Sequence, residues 1–586
     1  LARFADAVAP QVLRINRLAD IRSGSEISPG LSLLERANES PEDTFFLFEG
    51  RAHSYRAANE RIDNIVRGLI EVGVRHGQHV GLLMQTRPSA VAASVALSRL
   101  GVIVVLLRPD LPLAEQLAIT SIDHLLADPE SGPEAHDVYG MDVLVLGGGG
   151  DARTLPDGLV DMEAIDPERV QLPDWFEPNT GLAGELAFIL ITGAEGNLRT
   201  SRVTNRRWAT SAFGTASACA LTPQDTVYCR SPIHHPTGIL VCIGGALTSG
   251  ARLAMASDFE GTIDAASFWQ DVRRYGVNVV FYTGSLCREL LNAPPDPQER
   301  HSPIRLFAGS GMARQLWTRL RERFAPADVV EFFASTEGNA VLVNLTGKKV
   351  GSLGRPLPGA GDVAVAAWDL NAGRIDATRN GLARPCTPGR VGLLVERIDR
   401  ERGELETRPL RSLFEAGDAW LDTRDLVRVD RDGDYWLVDY VRDVIQSEDG
   451  AVATVEIEDL LAEHAEELDL VAVYGVPKSS IAELDSDEHD LVVAAVTLRP
   501  GEKLDPAAFR RLVERQLRPS QRPSVVRIVH EMPITGGHRI RKRALRAEGL
   551  GFGDDARAEE TWWLAPQSDC YQPLEHSRVG DLATLR

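Results

Sequence analysis

Through the middle of the chain, short continuous apolar runs alternate with longer segments whose apolar residues recur at helical spacing. SAVAASVALSRL (89–100) reads as a helix, and the GVIVVLL that follows reads as a strand. FWQDVRRY (268–275) and VNVVFYT repeat the pair; SLCRELLN and IRLFAG follow, then ARQLWTRLRERF and VVEFFAS. Apolar strands separated by amphipathic helices belong to parallel sheets covered on both faces. Ligands of such sheets bind in loops at the carboxyl ends of the strands. Attention therefore falls on Thr192–Arg199, Thr283–Ser285, Gly309–Met312 and Ser335–Asn339.

From about Pro358 to Asp439 the pattern changes to short strands broken by turns (PGR, RDGD), which predicts a small β region. A helix over Val455–Glu466, strands DLVAVYGV and LVVAAVTL, and a helix AAFRRLVERQL then predict a separate α/β unit of roughly 110 residues. After Gly551 no periodicity is readable. GGGG at 147–150 is followed by no G-K-[ST] and reads as a flexible loop.

A chain of 586 residues exceeds what one hydrophobic core serves, so two or more domains are expected. The net charge of -21 argues against nucleic-acid binding, which needs a basic field. No apolar run approaches the ~20 residues of a membrane span. The first residues, LARFADAVAPQVLRINRLAD, lack an apolar core followed by a cleavage site and make a poor signal peptide. Six cysteines without C-x-x-C spacing suggest neither zinc nor a disulfide framework, and a reducing cytoplasm is the simplest expectation. Of 63 basic residues only Lys348, Lys349, Lys478, Lys503 and Lys542 are lysines.

Residues 188–205, FILITGAEGNLRTSRVTN, run from an apolar strand into a glycine loop with a basic patch just after it. That is the pattern of a phosphate cradle, except that the Glu195 carboxylate stands where phosphate oxygens would lie. Four further stretches occur in a fixed order: VGLLMQTRPSAVAASVALSRLG, FWQDVRRYGVNVVFYTGSLCRELLNAPP, VVEFFASTEGNAVLVN and GSLGRPLPG. Together they resemble the adenylate-forming acyl ligases, in the branch of very-long-chain acyl-CoA synthetases and fatty acid transport proteins. The resemblance spans roughly residues 30 to 550.

The resemblance implies an α/β fold: a large N-terminal domain of two sheet-helix subdomains plus a small β-barrel (1–438), hinged at Asp439 to a small, mobile α+β C-terminal domain (439–550), with a tail at 551–586. It implies a two-step reaction in which a hydrophobic carboxylic acid and ATP give acyl-AMP and pyrophosphate, and the thiol of CoA then displaces AMP. Thr336 would contact the α-phosphate and Glu337 would hold Mg²⁺ against the phosphates. Phe333 would lie against adenine, although a core aromatic is nearly as good a reading of it. Gly309, Ser310 and Gly311 would line the adenine pocket, and Asp425 would accept both ribose hydroxyls. His235, Tyr282 and Gly284 would line the acyl site.

The departures fall on both half-reactions. The family's T-S-G-T-T-G-L-P-K becomes Ile191 to Arg199, keeping Thr192, Gly193, Gly196 and the cation Arg199 but losing both central threonines. The glycine of the family's S-G-D is Arg424, and the arginine after the hinge aspartate is Tyr440, with Arg442 as a substitute two residues on. Ser447, Glu448, Asp449, Gly450 and Ala451 stand for W-K-G-E-N beside the CoA tunnel, which places two acids near CoA's phosphates. The catalytic lysine position is Arg539, and Lys542 lies three residues on. An adenylating ligase that continues to acyl-CoA is the leading expectation. One alternative is a member that only thioesterifies acyl-AMP supplied by a partner ligase; another is a non-catalytic binding protein on the same scaffold.

Overall fold

A computed structural model describes residues 20–147, 154–179, 181–194, 196–256, 264–334, 340–357, 361–398, 408–480, 489–534, 540–552, 558–566 and 568–584. Its N-terminal part contains two large sheets. The seven-stranded sheet runs, edge to edge, through Leu159–Asp161, Val143–Val145, His124–Ala127, His79–Leu83, Ile103–Leu106, Leu186–Ala194 and Asn197–Thr204. All its neighbours are parallel except the last pair. The nine-stranded sheet has a parallel centre, with Arg252–Met255, Thr226–Cys229, Val279–Thr283, Leu306–Ser310 and Asp328–Ala334 side by side.

The helices between the sheets follow from their ends and faces. Pro88–Leu100 opens on a proline in its first turn and closes on Gly101 at φ 75, the left-handed stop that glycine adopts without strain. Every residue from Ala90 to Leu100 is buried, because this helix is enclosed on all sides. Ala265–Tyr275 is amphipathic instead. The Asp264 side chain accepts from the amides of Ala266 and Ser267, and the helix buries Phe268, Trp269 and Val272. The main core joins both sheets through these packed elements, including Val80, Val91, Trp208, Val279 and Phe281.

The predicted β region is a six-stranded sheet built on Val363–Asp369, Val391–Arg397 and Ala419–Val429, with Tyr435–Tyr440 paired to the last of these. The following unit places helices Val455–His464 and Pro506–Gln516 on a five-stranded sheet. The tail, where the sequence shows no readable periodicity, adds to this sheet. Ala558–Trp563 and Gln572–Pro573 form the last two strands of that sheet, and Trp563 is buried in its core. Of the GGGG loop, 148–150 lie outside the described residues.

The C-terminal unit rests on the nine-stranded subdomain through side chains of opposite sign. Asp469 pairs with Arg288 at 3.0 Å and accepts from Asn292 at 3.0 Å, and Arg314 faces Glu463 at 3.8 Å. Beside them burial pushes the Asp459 carboxyl up to about 6, with Arg314 holding it down in part.

Candidate active site

Three adjacent parallel strands end together, and their loops touch. A Cβ on Gly284 would come within 2.5 Å of the Gly311 carbonyl, and one on Gly309 within 2.1 Å of the Tyr282 carbonyl. Glycine is therefore required at 284 and 309 for strand and loop approach. Gly311, at φ 80 with open space around it, is required for its backbone conformation. Glu331 fixes this corner. Its carboxylate accepts from the amides of Gly311 at 2.6 Å and Met312 at 3.2 Å, and from the Tyr282 hydroxyl.

That arrangement corrects one sequence expectation. Tyr282 does not line an acyl pocket; it is fully buried in the core with Phe268 and Leu286, its hydroxyl bound to Glu331. Burial, with the Glu331 charge adding to it, pushes the phenol far above its ordinary value. Of the two readings of Phe333, the packing favours the core aromatic: it lies with Leu342, Leu394 and Val427 at the junction with the β-barrel, only 7% exposed.

Asp425 is buried and stands directly across the ladder from Tyr440, two residues from the Val427 that packs on Phe333. Arg424, in the family's glycine position, adopts φ 64. This left-handed conformation strains a non-glycine residue. Its amide donates to Asp422 at 2.8 Å, and its guanidinium lies 3.1 Å from the same carboxylate. Arg442 is exposed, 5.9 Å above the Tyr440 ring.

The glycine loop is a closed β-hairpin. Thr192 pairs with Arg199, Gly193 with Leu198 and Ala194 with Asn197, so the ladder runs up to the turn. The Thr192 hydroxyl donates to the Arg199 carbonyl at 3.3 Å. Gly193 is at φ 94 and Gly196 at φ 74. Arg199 is exposed; Glu195 lies outside the described residues. Two residues from the 107–115 stretch grip this hairpin. Arg108 donates to the Gly193 carbonyl at 3.1 Å, and Glu115 accepts from the Gly196 amide at 2.9 Å. Neither carries a sequence signal, since about eighty positions separate each from its partner. Arg108 is itself held by Asp110 at 3.0 Å and 2.5 Å.

His235 precedes a π-helical turn, Thr237–Ile243, a wide geometry common at functional sites. Its Nδ1 accepts from the Thr237 amide at 3.2 Å, which leaves Nε2 to carry the proton of the neutral ring. Its neighbour His234 lies 3.9 Å from Asp110, and burial lowers its imidazole to about 4.

Asp439 is buried and accepts from the Thr454 amide at 2.6 Å, the Thr454 hydroxyl at 2.9 Å and the Tyr440 amide at 2.8 Å. Lys542 joins this cluster rather than a nucleotide site. Its ammonium donates to Thr454 Oγ1 at 2.6 Å and pairs with Glu458 at 2.7 Å, with the side chain 8% exposed. Burial works against its charge, but Glu458 and Asp439 more than offset that and raise its pKa. Lys542 is thus a structural cation in this conformation. Ser335–Asn339, with Thr336 and Glu337, and 535–539, with Arg539, lie outside the described residues.

The acidic hairpin Ile445–Ser447 and Gly450–Val452 docks on the β-barrel, the Ala451 amide donating to Asn371 at 2.8 Å. Glu448 pairs with the buried Lys478 at 2.6 Å.

Residues 33–374 match the family model described as AMP-binding enzyme. Long-chain fatty acid transport protein 2 of Rattus norvegicus is 25% identical over 570 residues, covering 92% of this chain and 88% of that protein. A medium/long-chain-fatty-acid–CoA ligase of Mycobacterium tuberculosis is 28% identical over 552 residues, covering 90% and 87%. The solved structure of a benzoate CoA ligase from Burkholderia xenovorans superposes with a TM-score of 0.71 at 18% identity, covering 89% of this chain and 99% of that one. No described helix is long and apolar enough to cross a membrane.

Proposed function

We propose that this chain, which belongs to the AMP-binding enzyme family, activates a hydrophobic carboxylic acid with ATP and passes the acyl group to CoA. It is an ATP-dependent acid–thiol ligase of the acyl-CoA synthetase kind. The preference for a hydrophobic acid rests on relatives named for medium- and long-chain fatty acids. The observation that carries the reading is the convergence of Gly284, Gly309–Gly311 and Glu331 at the ends of adjacent parallel strands, where this class of sheet binds its ligands.

In the first step the substrate carboxylate attacks the α-phosphorus of ATP. A P–O bond forms to the acyl oxygen, and the P–O bond to pyrophosphate breaks. In the second step the CoA thiolate attacks the acyl carbonyl carbon, the C–O bond to AMP breaks, and the thiol proton passes to solvent. Asp425 is the proposed ribose acceptor, with both carboxylate oxygens suited to a cis-diol. Gly309, Ser310 and Gly311 are assigned to the adenine edge. Thr192, Gly193, Gly196 and Arg199 are assigned to the phosphates, with Arg442 as a second nucleotide-binding cation. His235, with Nε2–H directed by its Nδ1 contact, and Gly284 are assigned to the acyl side.

Thr336 and Arg539 are the proposed stabilisers of charge developing at the α-phosphate. Glu337 is the proposed Mg²⁺ ligand. Glu331 on the preceding strand is committed to two amides and a phenol, and a single carboxylate beside phosphates suits Mg²⁺. When bound, Mg²⁺ neutralises phosphate charge. Asp439 is the proposed hinge residue about which the C-terminal domain, from 439, turns between steps.

The test is incubation with ATP, Mg²⁺, CoA and hydrophobic acids of graded chain length, with mass detection of acyl-AMP and acyl-CoA. Both products are expected from at least one acid, and neither from Glu337→Ala. A wild-type chain that yields neither product overturns the reading. Unchanged rates in Glu337→Ala remove the metal assignment alone.

A further inference from the structure

The phosphate hairpin is gripped at both ends of its turn by one short stretch of chain. Arg108 and Glu115 flank the start of helix Leu113–Ile119. The Arg108 guanidinium, anchored on Asp110, reaches the Gly193 carbonyl, and the Glu115 carboxylate takes the Gly196 amide at 2.9 Å. Glu115 therefore stands on a backbone N–H of the loop assigned to ATP phosphates, in the position of an anionic oxygen. A carboxylate and a phosphate oxygen make the same charge-assisted bond to an amide. Both cannot hold one N–H, and their like charges repel.

We propose that Glu115 is a positioning residue that occupies the phosphate loop as an internal anion, and that the β,γ-phosphates of ATP displace it. This rests on the reading of the hairpin as the nucleotide's phosphate loop. Arg108 keeps the hairpin in register while the exchange occurs, because its contact is to a carbonyl that no phosphate competes for. AMP lacks the displacing phosphates, so the grip closes once pyrophosphate has left. The device thus separates affinity for ATP from affinity for AMP.

The test uses the full chain and two variants. Glu115→Gln keeps the shape and an amide-accepting oxygen but removes the charge; Glu115→Ala removes the acceptor. Dissociation constants for ATP and for AMP are measured calorimetrically, together with KM and kcat for ATP-dependent pyrophosphate release. Removing one competing charge is expected to tighten ATP and lower its KM by about fivefold to tenfold, the scale of one hydrogen bond's net contribution. AMP affinity is expected to stay unchanged in both variants, with kcat altered less than KM.

Unchanged ATP affinity in Glu115→Gln overturns the proposal. So does an equal shift in ATP and AMP affinity, which a merely structural role would give. Weaker ATP binding in both variants also overturns it, because Glu115 would then be supporting the loop rather than occupying it. A wild-type chain that binds ATP without making acyl-AMP refutes the activity reading while the ATP/AMP comparison still decides the role of Glu115. A wild-type chain that binds no ATP overturns both.

Discussion

Replacing Lys542 by methionine tests how the buried cluster around Asp439 and Thr454 is held. The ammonium sits between Thr454 Oγ1 at 2.6 Å and Glu458 at 2.7 Å, and Asp439 shares the same threonine. Asp439 is fully buried and Glu458 is 18% exposed, so removing the cation leaves two poorly solvated carboxyls without their counter-charge. Breaking a buried ion pair from one side costs about 3–5 kcal/mol, and the partial exposure of Glu458 argues for the lower end, about 3 kcal/mol at pH 8.

The loss depends on pH with a definite sign. Burial pushes the Glu458 carboxyl up to about 7, with Lys542 holding it down in part, and burial raises Asp439 as well. A raised folded pKa means that the folded state binds more protons than the unfolded one, so stability falls as pH rises from the unfolded carboxyl value to the folded one. Without Lys542 both carboxyls rise further, and the decline continues above pH 7. Lys542's own raised pKa keeps its contribution intact throughout that window. The destabilisation is therefore smaller near pH 5.5 than near pH 8.5, by about 1–2 kcal/mol at a limiting slope of about 1.4 kcal/mol per pH unit per proton. Urea unfolding at both pH values, followed by tryptophan fluorescence in a chain that keeps Trp562 and Trp563 of the C-terminal sheet and carries phenylalanine at its other seven tryptophan positions, measures it. The double variant Lys542→Met, Glu458→Gln is expected to recover part of the loss. A pH-independent effect, or one under about 1 kcal/mol at pH 8, would refute the argument.

Arg424→Gly relieves a left-handed φ of 64. The strain is worth about 1–2 kcal/mol and the added flexibility of the unfolded chain offsets about 0.4–1 kcal/mol, so a net gain of roughly 0.5–1 kcal/mol is expected in the urea midpoint of the N-terminal transition. The exposed pair with Asp422 subtracts little. A lowered midpoint would contradict this. Asp469→Ala removes the partners of Arg288 and Asn292 from the domain contact. Loss of about 1–2 kcal/mol there should speed proteolysis between the domains by roughly tenfold. An unchanged cleavage rate would show that the contact does not hold the domains in this arrangement.

The sheet-and-helix order was legible because its signals are local and repeated. A buried parallel strand is a continuous apolar run, and helices such as Ala265–Tyr275 carry caps and a single apolar face. The same property hides which way a side chain points. A strand apolar on both faces gives no sign that Tyr282 and Phe333 face cores rather than a pocket. The strand Ala558–Trp563 was missed because it is short and pairs with Val525–Val529, more than thirty positions earlier in the chain. Arg108, Glu115 and Glu331 act through backbone groups of distant loops, a relation that motif spacing cannot record.

The departures that read in sequence as losses look different once their partners are placed. The hairpin in the CoA-tunnel position carries Glu448 and Asp449, which alone predict two repulsive charges. Glu448 is 2.6 Å from Lys478, whose side chain is only 3% exposed, so the pair is electrically near neutral at the distance of a ligand. That leaves Asp449, exposed to solvent. A single exposed charge is screened over about 8 Å at physiological ionic strength, too short a reach to exclude a flexible polyanion with several routes past it. Arg424 likewise faces Asp422. At Glu448 and Arg424 a substitution away from the family pattern is thus matched by a group that absorbs its charge, so neither adds an uncompensated charge to the scaffold.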